Sequence, residues 1–122
     1  MTTMLHAEPL SPCSKHNKAL TLGELQPLLV QVPHWHVQTR DGIPQLHTTF
    51  RCADFSSALA LCNAIAALAE AADHHPRLIL EWGSVSVDWW SHVIRGLHRN
   101  DFIMAARCDL AHQQLLASGA LP

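Results

Sequence analysis

The 122-residue chain has no CxxC pair, and its four cysteines, Cys13, Cys52, Cys62 and Cys108, stand far apart. That absence excludes a zinc ribbon and a paired redox motif, and reduced, mostly buried thiols are expected instead. Positive charge is scarce: eight Lys and Arg against ten Asp and Glu leave a net charge of -2. Basic residues so few and scattered form no stripe that could neutralise a run of phosphates, so no nucleic-acid partner is expected. Long apolar runs are missing as well. The longest charge-free apolar stretch, 55–69, is Ala-rich and interrupted by Ser56, Ser57 and Asn63, short of the ~20 apolar residues of a membrane span. The first residues combine no basic start with a continuous apolar segment, so no secretory signal is read and a cytoplasmic location is the expectation. Five glycines form no phosphate-cradling loop, and neither a GxSxG elbow nor an HExxH pair occurs.

What remains is 48% hydrophobic and 15% charged, the balance of one globular domain. A chain of this size buries roughly two-thirds of the surface its unfolded form exposes, enough for a single core. The excess is in histidine, with ten residues, more than Lys and Arg together. Histidine titrates near neutral pH, so the positions of those ten matter.

Residues 1–19 carry Pro9, Pro12, Lys15 and Lys18 without an apolar period and read as a flexible N-terminal arm; 20–117 form the domain and 118–122 a C-terminal tail. Thr21 and Glu24 have capping-box spacing, with Leu22, Leu25 and Leu28 following at helical intervals, and Pro27 is expected to bend that helix. Alternation in 35–40, the turn pair Asp41-Gly42 and a β-rich 45–51 predict a hairpin. Asp54 caps a helix with a broad apolar stripe that must stop near Asp73, because Pro76 disfavours helix at His75. A second hairpin follows, 78–82 and 85–92 about Gly83-Ser84, and then a final helix over about 99–116. The order α-β-β-α-β-β-α implies an α+β fold: a four-stranded, mainly antiparallel sheet with three helices on one face.

The densest polar group is Glu70, Asp73, His74 and His75, then His92 one hairpin later, then Asp101 at the start of the last helix. A hairpin returns the chain to where it began, so the three histidines and the carboxylates converge on one rim. Each has a plainer explanation: the histidines could cap helix carbonyls, Asp101 could serve the helix dipole, and Glu70 could be a solvated helix residue. His34, His36, His47, His98 and His112 read as surface residues. Strand parity places Val85, Val87 and Trp89 on the core face, and Trp90 with His92 on the other. Adjacent histidines such as His74 and His75 rarely bind one ion with both rings, so no metal and no cofactor are expected. Without nucleophile or metal, such a cluster suits proton shuttling.

In this order the residues resemble a known family. Glu70-Ala71-Ala72-Asp73-His74-His75-Pro76, Ser91-His92 at the hairpin's end, and Asn100-Asp101-Phe102-Ile103-Met104-Ala105-Ala106 are similar to the pterin-4a-carbinolamine dehydratases. The stretch from Trp89-Trp90-Ser91-His92 to Asp101 is especially similar to the bacterial form that accompanies phenylalanine hydroxylase. The resemblance implies dehydration of 4a-hydroxytetrahydrobiopterin to quinonoid dihydropterin and water, recycling the cofactor of an aromatic amino acid hydroxylase. It implies His74, His75, His92 and Asp101 as catalytic residues, and Pro76, Ser91, Glu70 and Asp73 as substrate-contacting or pocket-edge residues. Parity with His92 adds Trp90 as a flat surface beside the pterin. A homodimer or homotetramer and a functional link to phenylalanine hydroxylase are further implications. His98 stands where a capping Thr or Ser is usual, so a cap from Asn100, or a weaker one, is expected. Non-enzymatic relatives act as assembly factors, which makes a binding scaffold on the same fold the alternative.

Overall fold

Capping sets the helix starts. The Thr21 hydroxyl accepts the Glu24 amide at 3.3 Å while the Glu24 carboxylate accepts the Thr21 amide at 2.9 Å, opening α1, Leu22–Gln31. This computed structural model describes residues 4–119; the first three residues of the expected arm and the last three of the expected tail lie outside the described residues. Strands β1, His36–Arg40, and β2, Ile43–Arg51, turn through Asp41 and Gly42 at φ 54° and 76°. Two successive left-handed residues match the right-handed twist of a hairpin, which is why an Asp-Gly pair stands there. Asp54 accepts the Ser57 amide at 2.8 Å to start α2, Phe55–Ala72. Strands β3, Arg77–Glu81, and β4, Ser84–Trp89, follow, then α3, Arg99–Ala117.

The sheet order is β1-β2-β4-β3, antiparallel throughout, with the helices on one face. Leu46, Val85, Val87 and Trp89 point from that face into a core completed by Leu61 and Ile65 of α2 and Phe102 and Ile103 of α3. Although α2 has the length and apolarity of a membrane span, Ala58, Leu61, Ile65 and Ala69 are its core stripe.

The expected strand to His92 is corrected. Pairing ends at Trp89 with β2 and at Asp88 with β3, because β3 starts after Pro76, which has no N–H to continue a ladder. Beyond it, Ser91 and Gly96 form an isolated bridge that closes a loop containing a 3-10 turn, His92–Ile94.

Three histidines read as surface residues are built in. His47 Nδ1 lies 2.7 Å from the fully buried Asp88, which also accepts from Gln38 and Arg77. His36, His47, Asp88 and Arg77 stand in register across the helix-free face. His112 packs on Phe50 with ring centroids 4.8 Å apart, and burial lowers its pKa. His98 itself caps α3, its Nδ1 accepting the Asn100 amide at 3.0 Å, so Asn100 is not the cap.

The segment read as a flexible arm lies along α3. Leu5 is buried in the core, Arg99 holds Glu8 through two nitrogens at 2.8 and 2.7 Å, and Arg107 donates to the His6 and Glu8 carbonyls. One buried leucine and a set of charge-assisted bonds do this without any apolar period.

Cys108, fully buried in α3, has its thiol pushed up to about 12 by desolvation. Since the thiolate is the nucleophile, iodoacetamide is expected to modify Cys108 only as the protein unfolds. Peptide mass spectrometry across a urea series checks this; native-state labelling of Cys108 as fast as that of Cys52 would contradict it.

Candidate active site

The end of α2 delivers the histidine pair. Asp73 takes a left-handed conformation, φ 50°, and the His74 amide reaches back to the Ala69 carbonyl at 3.1 Å. This is the closure by which a helix satisfies its last carbonyls while turning the chain away from its axis. A short acidic side chain tolerates the positive φ better than most. His74 is thus set against the sheet and His75 outward.

Asp101 is the fixed point. Fully buried, it accepts from Ser91 Oγ at 2.9 Å and from the His98 amide at 2.9 Å through Oδ2, and its Oδ1 lies 2.6 Å from His74 Nε2. One oxygen therefore completes the α3 capping box while the other holds the imidazole, so capping and site roles coexist in one carboxylate. As an acceptor, the carboxylate places the His74 proton on Nε2 and leaves Nδ1 with its lone pair. The flat face of Trp89 stacks on the His74 ring, centroids 5.6 Å apart and planes 2° from parallel, fixing its orientation.

His75 Nε2 lies 2.6 Å from Glu70 Oε1, an exposed pair. His92 Nε2 is 3.1 Å from the His75 carbonyl oxygen. A carbonyl only accepts, so His92 also carries its proton on Nε2 and keeps Nδ1 as an acceptor. His74 and His75 turn their Nε2 atoms to different carboxylates, an arrangement unlike a shared metal site; among the described residues no metal-binding group of three ligands is found.

Asp73, His74, His75, Ser91 and His92 line one cavity of about 420 Å³, within the range of small-molecule sites. Asp101 stands behind His74. Glu70 and Pro76 lie outside the lining, Glu70 acting through His75. Trp90 also lies outside it: its indole stacks on His92 with centroids 4.4 Å apart, and the Arg40 guanidinium sits 5.9 Å from the ring centroid. The parity argument for Trp90 and His92 needed a strand through His92, but β4 ends at Trp89, and the two rings meet through the 3-10 turn that follows. Sequence reasoning missed Leu10, Ser11, Pro12 and Cys13, which line the same cavity, and Asn100, which borders it.

The family model for Pterin 4 alpha carbinolamine dehydratase matches residues 18–111. The chain belongs to this family. A Vibrio vulnificus (strain YJ016) protein provisionally named as a pterin-4-alpha-carbinolamine dehydratase is 47% identical over 106 residues, 87% of this chain and 96% of the relative. A similarly named Chlorobium limicola protein is 48% identical over 102 residues, 84% and 90% of the two chains. Among solved structures, a transcriptional coactivator/pterin dehydratase from Brucella melitensis superposes with a TM-score of 0.69 at 29% identity, covering 77% of this chain and 98% of that one. A pterin dehydratase-like RuBisCO assembly factor of the alpha-carboxysome shares the fold, with a TM-score of 0.54 at 23% identity over 63% of this chain and 87% of that one. Family membership supports dehydratase activity for this pterin dehydratase homologue, on a fold that also carries other roles.

Proposed function

We propose that this protein dehydrates 4a-hydroxytetrahydrobiopterin by histidine acid-base catalysis and so recycles the cofactor of an aromatic amino acid hydroxylase. The observation that carries this reading is the pair of imidazoles on one cavity, His74 and His92, each with Nε2 engaged and Nδ1 available. In the reaction the C4a–O bond breaks and the hydroxyl leaves as water with a proton from one imidazole. The N5 proton passes to another base, and its bonding pair forms the C4a=N5 double bond. Acid and base must flank one ring, and positioned groups of this kind contribute about 100- to 10,000-fold. His74, backed by the Asp101 carboxylate, and His92 are assigned the proton transfers, and His75 holds the pterin. No metal or cofactor enters the step, and dialysis against a chelator is expected to leave the rate unchanged.

The coupled cycle tests the role. With a pterin-dependent phenylalanine hydroxylase, dihydropteridine reductase and excess NADH, catalytic amounts of this protein are expected to raise steady-state NADH consumption. An unchanged rate, in a mixture limited by carbinolamine dehydration, would favour the scaffold reading. We also propose a cytoplasmic homodimer or homotetramer. Unpaired edges on β1 and β3 and the exposed Phe55 and Leu59 on α2 support self-association, and light scattering on a sizing column measures it.

A further inference from the structure

The same cavity has a wall that belongs to neither the histidine loop nor α3. The cavity-lining part of the chain before α1 is tied on either side. Upstream, Asn100 clamps Ser11, accepting its amide at 2.9 Å and donating to its carbonyl at 2.7 Å, beside the Glu8–Arg99 pair. Downstream, the Leu20 amide donates to the Leu97 carbonyl at 2.8 Å, and Ala19 presses on Gly96 so closely that a Cβ there would stand 2.8 Å from the Ala19 methyl. Between the ties, Ser14 and Asn17 close a turn, the Asn17 amide donating to the Ser14 carbonyl at 2.9 Å and the Ser14 amide to Asn17 Oδ1 at 2.7 Å. The span is thus ordered at both ends and within, and Leu10 to Cys13 face His74, His75, Ser91 and His92 across the cavity. Cys13 is close enough to Ser91 and Asp101 for both to act on its thiol, whose pKa is raised chiefly by burial.

We propose that residues 8–13 are a strap forming one wall of the pterin cavity, with Asn100 as the positioning residue that sets the strap against the bound ring. The proposal rests on the pterin dehydratase reading and adds a binding element to it. Asn100 is 3% exposed and immediately precedes Asp101 on α3, so one helical turn fixes both the strap and the His74 carboxylate. The strap lines the cavity with Leu10, Ser11, Pro12 and Cys13, with no imidazole or carboxylate among them, so it contributes to holding the substrate and not to the chemical step. Such a contribution appears in KM and leaves kcat in place.

The first test labels the wild-type full chain with iodoacetamide and reads each cysteine by peptide mass spectrometry, with and without the stable pterin 7,8-dihydrobiopterin. At a pterin concentration about ten times its Kd, labelling of Cys13 is expected to slow about tenfold, with Cys52 and Cys62 unaffected as internal controls. The second test takes Asn100→Ala and, on the strap itself, Cys13→Trp, which crowds the cavity while leaving every side chain of α3 unchanged. Each is expected to raise the carbinolamine KM about tenfold with kcat within about twofold of wild type. A protein that turns over carbinolamine and binds dihydrobiopterin, yet labels at Cys13 equally fast with and without it, overturns the strap alone. A wild-type protein that neither turns over carbinolamine nor binds the pterin overturns the dehydratase reading, and the strap with it.

Discussion

His74→Ala is expected to lower kcat for carbinolamine dehydration by about 100- to 10,000-fold while the protein stays folded. The ring lines the cavity just beyond α2 with its side chain 14% exposed, and without it Asp101 keeps its Ser91 and His98 donors, whereas its Nδ1 is the site's most tightly oriented proton acceptor. Three constraints fix it: the left-handed turn at Asp73, the 2.6 Å contact with Asp101 and the parallel face of Trp89. Stopped-flow absorbance gives kcat, and circular dichroism checks the fold. His92→Ala is expected to reduce kcat as well but by less, since its ring is more exposed and no carboxylate backs it. If His74→Ala retained kcat within about threefold of wild type, positioned proton transfer at this ring would contribute almost nothing.

Asp101→Asn should lower activity on the order of 1,000- to 10,000-fold, by a different route. The carboxylate meets three donors: His74 Nε2–H, the Ser91 hydroxyl and the His98 amide. A carboxamide brings a donor of its own, so it must face at least one of them donor to donor. If its NH2 turns to His74, the ring must move its proton to Nδ1, and the lone pair then points away from the cavity. If it turns to Ser91 and His98, the α3 cap is broken. In the second orientation the His98 amide is left facing a donor, at a cost of about 1–3 kcal/mol in stability. The discriminating readout is the split between the two effects: Asp101→Asn is expected to lose far more activity than its fall in Tm explains. Ser91→Ala, which removes one donor and leaves the tautomer alone, is expected to lose little. Equal losses in the two variants would show that Asp101 acts through its Ser91 bond and not through the His74 tautomer.

The two hairpins were legible because alternation and the Asp-Gly turn are local signals, and so were α2 and α3, whose stripes and stop signals lie within one segment. The end of β4 was not. Alternation continues through Trp90 to His92, but a strand also needs neighbours, and Pro76 removes one. The histidine rim was legible from spacing alone, since a hairpin returns to its origin. Its support was not: Trp89 read as core also serves as the platform under His74. Nor was the separate pairing of His47 with Asp88, joined across 41 residues. The strap lay furthest from reach. Its bonds join Ser11 to Asn100 across 89 residues, and one buried leucine leaves no period to detect. His98 escaped because an imidazole is an uncommon cap, although Asp101 three residues later has capping-box spacing.

The account stands on the claim that imidazoles on this rim carry out the dehydration. The most direct measurement follows the absorbance decay of freshly generated 4a-hydroxytetrahydrobiopterin, alone, with chelator-treated wild-type protein, and with the His74→Ala/His92→Ala double variant. The account predicts fast decay with wild type and the spontaneous rate with the double variant. Decay equally fast with both proteins, or no faster than spontaneous with wild type, would contradict it.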